Sequence, residues 1–201
     1  MANMLMSNQK NKETQKLVRY DLACGSNLQK GFIGIDFTKK GTQAKIEHNL
    51  FVTPWPIESN SADELFASHF VEHIPHGTDG FHDPFWDFFN EAWRILKPNG
   101  IFRIVTPYYT SGRAFQDPTH QRFITEATFM YLTKAWRKVN RLEHYPINTN
   151  FEIVKIDHSV SQEFNGRAQE AVQYAAMHNW NVVDDIIITL KKPNALGSNR
   201  K

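Results

Sequence analysis

The chain has 201 residues, with Lys+Arg 23 against Asp+Glu 21 and a formal net charge of +2. That length suits one domain, and a composition 41% hydrophobic and 22% charged excludes a disordered tail protein, a collagen-like repeat and a coiled coil. The one cysteine, Cys24, excludes internal disulfides and a multi-cysteine zinc site and suits a reducing compartment.

The polar start, residues 1–16, reads as a mobile arm without the apolar block of a signal peptide. No apolar run reaches membrane-spanning length, so a cytoplasmic protein with no membrane partner is expected. A strand over Leu17–Ala23 ends in the turn Cys24-Gly25-Ser26-Asn27, since Gly and Asn tolerate positive φ. A second strand over Phe32–Phe37 carries Asp36 near its end, and Ala44–Leu50 is a weaker third. Pro54-Trp55-Pro56 is a rigid loop, and Glu64–Ser68 a fourth strand entering His69-Phe70-Val71-Glu72-His73.

Asp83 and Pro84 mark a helix start. Phe85, Phe88, Phe89, Ala92 and Leu96 give that helix a wide apolar face, and Lys97-Pro98-Asn99-Gly100 stops it. Ile101–Thr106 is a fifth strand. The spacing predicts a helix over Glu126–Arg141, with Phe129, Leu132, Trp136 and Val139 on one side and Lys134, Arg137, Lys138 and Arg141 on the other. Strands over Phe151–Ile156 and Asp185–Leu190 flank a helix over Arg167–Met177, and residues 191–201 form a polar tail. Strand, helix and strand in this rhythm imply a parallel sheet with both faces covered.

A glycine turn after the first strand lets a ligand approach the backbone, and a carboxylate closing the second strand can accept hydrogen bonds from both hydroxyls of a ribose. The plainer alternative is an ordinary turn and a strand-end cap. The G-x-G-x-x-G pattern is missing, and no crossover helix fits between Asn27 and Phe32, so a bound pyrophosphate has no platform. A P-loop is absent too. His69-Phe70-Val71-Glu72-His73 has the H-x-x-E-H form of a zinc hydrolase. That reading needs a stable helix and a third ligand, whereas here the string follows a strand directly and Pro75 comes soon after. No metal is therefore assigned.

Further along, Asp117-Pro118-Thr119-His120-Gln121-Arg122 offers an acid, an imidazole and a guanidinium. Asp117 can orient His120 while Arg122 holds an anionic group; equally, Asp117 can close a turn before Pro118. The basic stripe Lys134, Arg137, Lys138, Arg141 reads first as a solvated helix face and second as a phosphate contact.

Tyr20–Asp36, then Ser68–Pro75, then Glu91–Gly100 together resemble the class I S-adenosylmethionine-dependent methyltransferases, in the compact subgroup whose first helix is shortened to a loop. The resemblance covers about residues 17–190 and implies a single-domain Rossmann-like α/β fold, a mostly parallel seven-stranded sheet with helices on both faces. It implies S-adenosylmethionine as the cofactor, held by Asp21, Ala23, Gly25, Asn27, Asp36, Phe37, Asn49, Leu50, Ser68 and His69. Two departures stand out: Ala23 and Asn27 occupy glycine places of the first motif, and Asn49 stands where an acid near the adenine is usual. The implied reaction is methyl transfer to an O or N atom of a small-molecule or sugar-containing acceptor. Its catalytic candidates are His69 and His120, and its acceptor-side residues are Tyr108, Tyr109, Asp117, His120 and Arg122. An insertion over 108–145 would cover the acceptor. Pyrimidine C5 methylation is excluded because Cys24 lies in the cofactor turn. Exocyclic-amine methylation of bases is disfavoured because the fourth strand lacks the Pro-Pro-aromatic motif. The alternatives are an RNA or DNA methyltransferase, a cofactor-binding module without catalysis, and the zinc hydrolase.

Overall fold

The computed structural model of the protein describes residues 16–77 and 82–194. The arm expected over 1–16 and the end of the polar tail lie almost entirely outside the described residues. The elements run β1 (Arg19–Leu22), β2 (Ile33–Asp36), β3 (Ile46–Glu47), β4 (Ala62–Ser68), α1 (Pro84–Ile95), β5 (Leu96–Pro107), α2 (Arg113–Gln116), α3 (Glu126–Met130), α4 (Lys134–Val139), β6 (Glu152–Val160), α5 (Gln169–His178) and β7 (Val183–Lys191). Short 3₁₀ turns cover Val71–His73 and Gln162–Phe164. The strands form one seven-stranded sheet in the order β3-β2-β1-β4-β5-β7-β6. The pairs from β3 to β5 are parallel, and β7 is antiparallel to both β5 and β6.

Register fixes which residues share a face, because directly paired residues point the same way. Tyr20, Leu65 and Phe102 align, as do Leu22, Ala67 and Ile104. This apolar face receives α1, whose Phe85, Phe88, Phe89, Ala92 and Ile95 are buried. Each phenylalanine removed from water contributes on the order of 2 kcal/mol, so α1 is a principal anchor of the sheet. Asp83 caps α1 as its sequence suggests, accepting the Phe85 N–H at 2.8 Å. The other face carries Arg19 paired with Glu64 at 3.1 Å, and Arg103 over the Phe66 ring. Among the described residues no helix connects β1 to β2, β2 to β3 or β3 to β4, so the first crossover is a loop, as expected.

The helix expected over Glu126–Arg141 is two helices. Thr133 divides them: its hydroxyl reaches the Met130 carbonyl at 2.9 Å, and its side chain accepts from the Trp136 N–H to cap α4. That break rotates the second half. Arg137, expected on the solvated stripe, is buried and donates to the carbonyls of Tyr131 and Thr149 at 2.6 and 2.8 Å. Val139, expected in the apolar face, is 82% exposed. Lys134, Lys138 and Arg141 do face solvent. The stop at Lys97–Gly100 is a bulge within β5, where the pairing with β4 shifts between Ala62 and Glu64. β7 runs through Lys191, and the Lys192 ammonium donates to Asn60 Oδ1 and to the carbonyls of Trp93 and Leu96. The polar tail therefore begins after these lysines. No described helix is long and apolar enough to cross a membrane.

Candidate active site

The first strand end is shaped by close backbone approach. Ala23 and Gly25 both take positive φ, 58° and 51°. The Asp36 carboxylate at the end of β2 reaches back to accept the Gly25 N–H at 2.9 Å, and also accepts the Phe37 N–H at 2.8 Å. A carboxylate has about four lone-pair positions, so acceptor capacity remains toward the cleft. Gly34 in β2 permits this packing: a Cβ there would lie 2.6 Å from Cys24 Sγ and 3.0 Å from the Gln43 carbonyl oxygen.

A cleft of about 310 Å³ opens beside this turn, lined by Ala23, Asp36, Phe37, Asn49, Leu50, Phe51 and Phe70. Five of the cofactor candidates thus meet there. Phe51 and Phe70 stack at 5.5 Å with their planes 15° apart, and Phe37 is 74% exposed at the same cleft. Sequence reading did not single out Phe51 and Phe70; an aromatic beside Leu50 and another beside His69 were the available signals. Asp21 lies under the turn, its carboxylate accepting the Gln29 N–H at 2.7 Å. Burial, with Asp36 adding to it, pushes the Asp21 pKa up to about 6 against the pull of that N–H. The Cys24 thiol is pushed up to about 11 by burial and by the carboxylates of Asp21 and Asp36, so it stays neutral. Gly25 borders the cleft through Asp36, while Asn27, Ser68 and His69 do not line it.

The fourth strand end divides two spaces: Phe70 faces the first cleft and its neighbour His69 faces the second group of residues. His69 has φ +52°, a strained backbone for a side chain of its size. Its Nδ1 lies 3.4 Å from Oε1 of Glu72. Glu72 is 1% exposed, and its Oε2 accepts the Thr106 hydroxyl at 2.9 Å. The Glu72 carboxylate raises the His69 pKa, outweighing burial. His120 stands across from them, its Nε2 4.0 Å from Glu72 Oε1 and its ring edge-on to His73 at 4.6 Å. The loop is held in place by the Glu72 carbonyl, which accepts the N–H groups of Gln121 and Arg122 at 2.8 and 3.1 Å. Asp185 at the start of β7 binds Arg113 at 2.9 Å, and burial raises its pKa.

The remaining acceptor candidates fare differently. Asp117 does not orient His120 by its side chain. It accepts the Thr119 N–H and hydroxyl at 2.8 and 2.7 Å, the turn-closing alternative. The Arg122 guanidinium donates to the carbonyls of Ile74 and Pro75 and to Asp83, and it lies over the Phe85 ring. Three of its five N–H donors, on Nε and Nη2, are thus committed inside the protein. The Tyr108 hydroxyl donates to Glu126 at 3.0 Å and faces a separate cleft of about 530 Å³ with His158 and Val160. Burial and Glu126 raise its pKa. Tyr109 is 39% exposed beside it. Near Arg113, Phe115 stacks on Phe123 at 4.5 Å and meets Trp180 at 5.7 Å, all three about half exposed.

A second ion-pair knot supports the first cleft from behind. Glu91 of α1 accepts the Trp55 N–H at 2.9 Å and pairs with Arg94 at 2.7 Å, while Arg94 donates to the Trp55 and Ile57 carbonyls. The Trp55 indole N–H donates to the Leu50 carbonyl at 3.1 Å, so α1 sets the position of a residue that lines the cleft. Burial alone would raise the Glu91 pKa, but Arg94 and the Trp55 N–H outweigh it and hold it low.

No protein-family model matches this chain, and no curated protein matches it in sequence. Solved structures do match in fold. One is a SAM-dependent methyltransferase from Archaeoglobus fulgidus, 16% identical with a TM-score of 0.58, over 88% of this chain and 86% of that one. A chain in the complex of the Haloferax volcanii Trm112 methyltransferase activator with its methyltransferase is 14% identical with a TM-score of 0.56, over 89% and 84%. An S-adenosylmethionine-dependent methyltransferase from Mesorhizobium loti is 13% identical with a TM-score of 0.52, over 87% and 90%. The fold is that of the class I methyltransferases.

Proposed function

We propose that the protein is an S-adenosylmethionine-dependent methyltransferase acting on an O or N atom of a small-molecule or sugar-containing acceptor. The observation that carries this reading is the cleft at the ends of β1 and β2, where the turn at Gly25 and the Asp36 carboxylate meet. Its volume of about 310 Å³ lies at the small end of the range for ligand pockets, roughly 300–1,000 Å³. The residues fit the donor's chemistry. The remaining lone pairs of Asp36 suit two ribose hydroxyls, and the Phe37, Leu50 and Phe51 side chains suit the faces of a purine. Asn49, whose Oδ1 accepts the Phe51 N–H at 3.0 Å, keeps its amide N–H groups for an adenine edge. Bound S-adenosylmethionine would supply an electrophilic methyl on a sulfonium. The chain's own part is to orient an acceptor in line with that methyl at near-attack distance, about 3 Å, and to exclude water.

His69 and His120 flank Glu72 and are the imidazoles available to take a proton from the acceptor. The exposed rings of Phe115, Phe123 and Trp180 offer a flat apolar surface on the same side, suited to a planar or sugar-bearing acceptor. Nucleic acid is the weaker reading, because Arg137 of the basic stripe is committed to backbone carbonyls inside the protein.

Calorimetry with S-adenosylmethionine and S-adenosylhomocysteine tests the donor site. The parent chain binds both, and Asp36→Ala weakens binding at least tenfold. Asp36→Asn keeps an acceptor for the Gly25 N–H and so separates lost ribose contacts from a disordered turn. If Asp36→Ala binds the donor as well as the parent does, the donor site lies elsewhere.

A further inference from the structure

The geometry points to a divalent metal site formed by Glu72, His73 and His120, selective for a borderline transition ion such as Zn²⁺, Co²⁺ or Ni²⁺. One ligand atom from each of these side chains lies within 4.8 Å of the other two. Donors of one tetrahedral ion at about 2.1 Å each stand about 3.4 Å apart, so closing the set needs the widest pair to draw in by up to about 1.4 Å.

The hydrogen bonds around the cluster aim lone pairs inward. Oε1 of Glu72 is fully buried and makes no full hydrogen bond, its nearest polar neighbours being His69 Nδ1 at 3.4 Å and His120 Nε2 at 4.0 Å, while Oε2 is occupied by the Thr106 hydroxyl. A buried carboxylate oxygen left unsatisfied is costly and calls for a cation or a proton beside it. His120 Nδ1 lies 3.0 Å from the Ala114 carbonyl oxygen, which can only accept. Nδ1 therefore carries a proton, and in the neutral ring Nε2 presents a lone pair toward Glu72 Oε1 at 4.0 Å. Two acceptors thus face each other at a separation too long for a shared proton. His73 is arranged the same way. The Thr119 hydroxyl donates to Asp117 at 2.7 Å, so its oxygen accepts from His73 Nδ1 at 2.9 Å, and Nε2 of His73 is left unprotonated. Asp117 therefore acts through Thr119 on His73. A ring N–H held by a fixed acceptor is the usual outer support of a metal-bound histidine.

The loop that brings His120 beside the 3₁₀ turn is fastened by two backbone hydrogen bonds to the Glu72 carbonyl, so the ligands approach one another without the ion. Two imidazoles and one carboxylate favour a borderline transition ion over Mg²⁺ or Ca²⁺, which take mainly oxygen ligands. The set differs from a helical H-x-x-E-H hydrolase site, because the second imidazole is His120 from a distant loop and His69, at the rim, is not in the trio. Resting on the proposed methyl transfer, the ion would bind the acceptor heteroatom and lower the pKa of its proton. With His120 committed to the ion, His69 is left as the imidazole that takes that proton.

The test uses the full chain, stripped with a chelator and then titrated with Zn²⁺, Co²⁺ or Ni²⁺. Binding is followed by equilibrium dialysis with elemental analysis, and for Co²⁺ by its visible absorption. One ion per chain is expected, with His73→Gln and His120→Gln each weakening binding at least tenfold and Glu72→Gln abolishing the tight site. Because Glu72 is buried, thermal melting of each variant is measured in parallel, and the half-buried His73 provides a substitution that spares the core. The proposal is overturned if the parent binds no ion more tightly than millimolar, or if folded His73→Gln and His120→Gln bind it unchanged. Donor binding is measured on the same samples: a chain that binds the donor but no ion sinks only the metal site, and one that binds the ion but no donor sinks the methyltransferase reading.

Discussion

Replacing Asp21 by Asn is expected to stabilise the chain at neutral pH while weakening its binding of the donor. Asp21 is 2% exposed, and burial pushes its pKa from 3.8 up to about 6. In the unfolded chain the carboxyl titrates near 3.8. Below that pH both states are protonated and the group favours neither. Between about pH 4 and pH 6 the unfolded chain releases its proton while the folded one keeps it, so stability falls as pH rises. Above pH 6 the folded state holds a buried carboxylate. A shift of about two units corresponds to an upper figure of about 3 kcal/mol. Asparagine does not titrate, and its carbonyl oxygen can still accept the Gln29 N–H that Asp21 now accepts. Urea unfolding of the parent and Asp21→Asn at a series of pH values checks this. The stability gap should be near zero at pH 4 and approach 3 kcal/mol in favour of the variant by pH 7. The same variant should bind S-adenosylmethionine more weakly, because the donor's positive charges lose a nearby carboxylate. A gap that does not change between pH 4 and pH 7, or a variant less stable than the parent at pH 7, refutes the reasoning.

Other substitutions probe the parts that hold the site. Gly34→Ala sets a methyl 2.6 Å from Cys24 Sγ and against backbone, and should cost about 1–3 kcal/mol in denaturant unfolding, with weaker donor binding because the Gly25 turn shifts. Glu91→Ala leaves the partly exposed Arg94 guanidinium and the Trp55 N–H without their carboxylate; a loss of about 1–3 kcal/mol is expected, read by thermal melting. Arg137→Leu leaves the carbonyls of Tyr131 and Thr149 unpaired and should destabilise by about 2–3 kcal/mol, whereas a purely solvated Arg137 would show almost no change. Once an acceptor is found, Trp180→Ala and Phe115→Ala should raise its KM severalfold while leaving donor affinity from calorimetry unchanged.

The local parts of this protein were legible from its residues. Asp83 and Pro84 mark the start of α1 by capping chemistry that needs no distant partner, and Phe85, Phe88 and Phe89 fall on one side by helical period. The short interval between Gly25 and Asp36 leaves no room for a helix, and their hydrogen bond joins the two strand ends. The family resemblance also pointed to Ala23, Asp36, Phe37, Asn49 and Leu50, which line one cleft.

Tertiary structure decided what depends on partners far away in the chain. Periodicity assigned Arg137 to solvent, yet the Thr133 break turned it toward carbonyls that only the folded loop supplies. Arg122 and Asp117 looked free because their acceptors and donors, among them Ile74, Asp83 and Thr119, come together only on folding. Glu72 gained its importance the same way. A glutamate in a short motif carries no mark of burial until a loop almost fifty residues later places His120 opposite it. Sequence thus determined α1 and the ends of the first strands, where covalent neighbours set the geometry. The meeting of distant side chains belongs to the sheet order and its loops, because a hydrogen bond or a lone pair finds its partner in space and not along the chain.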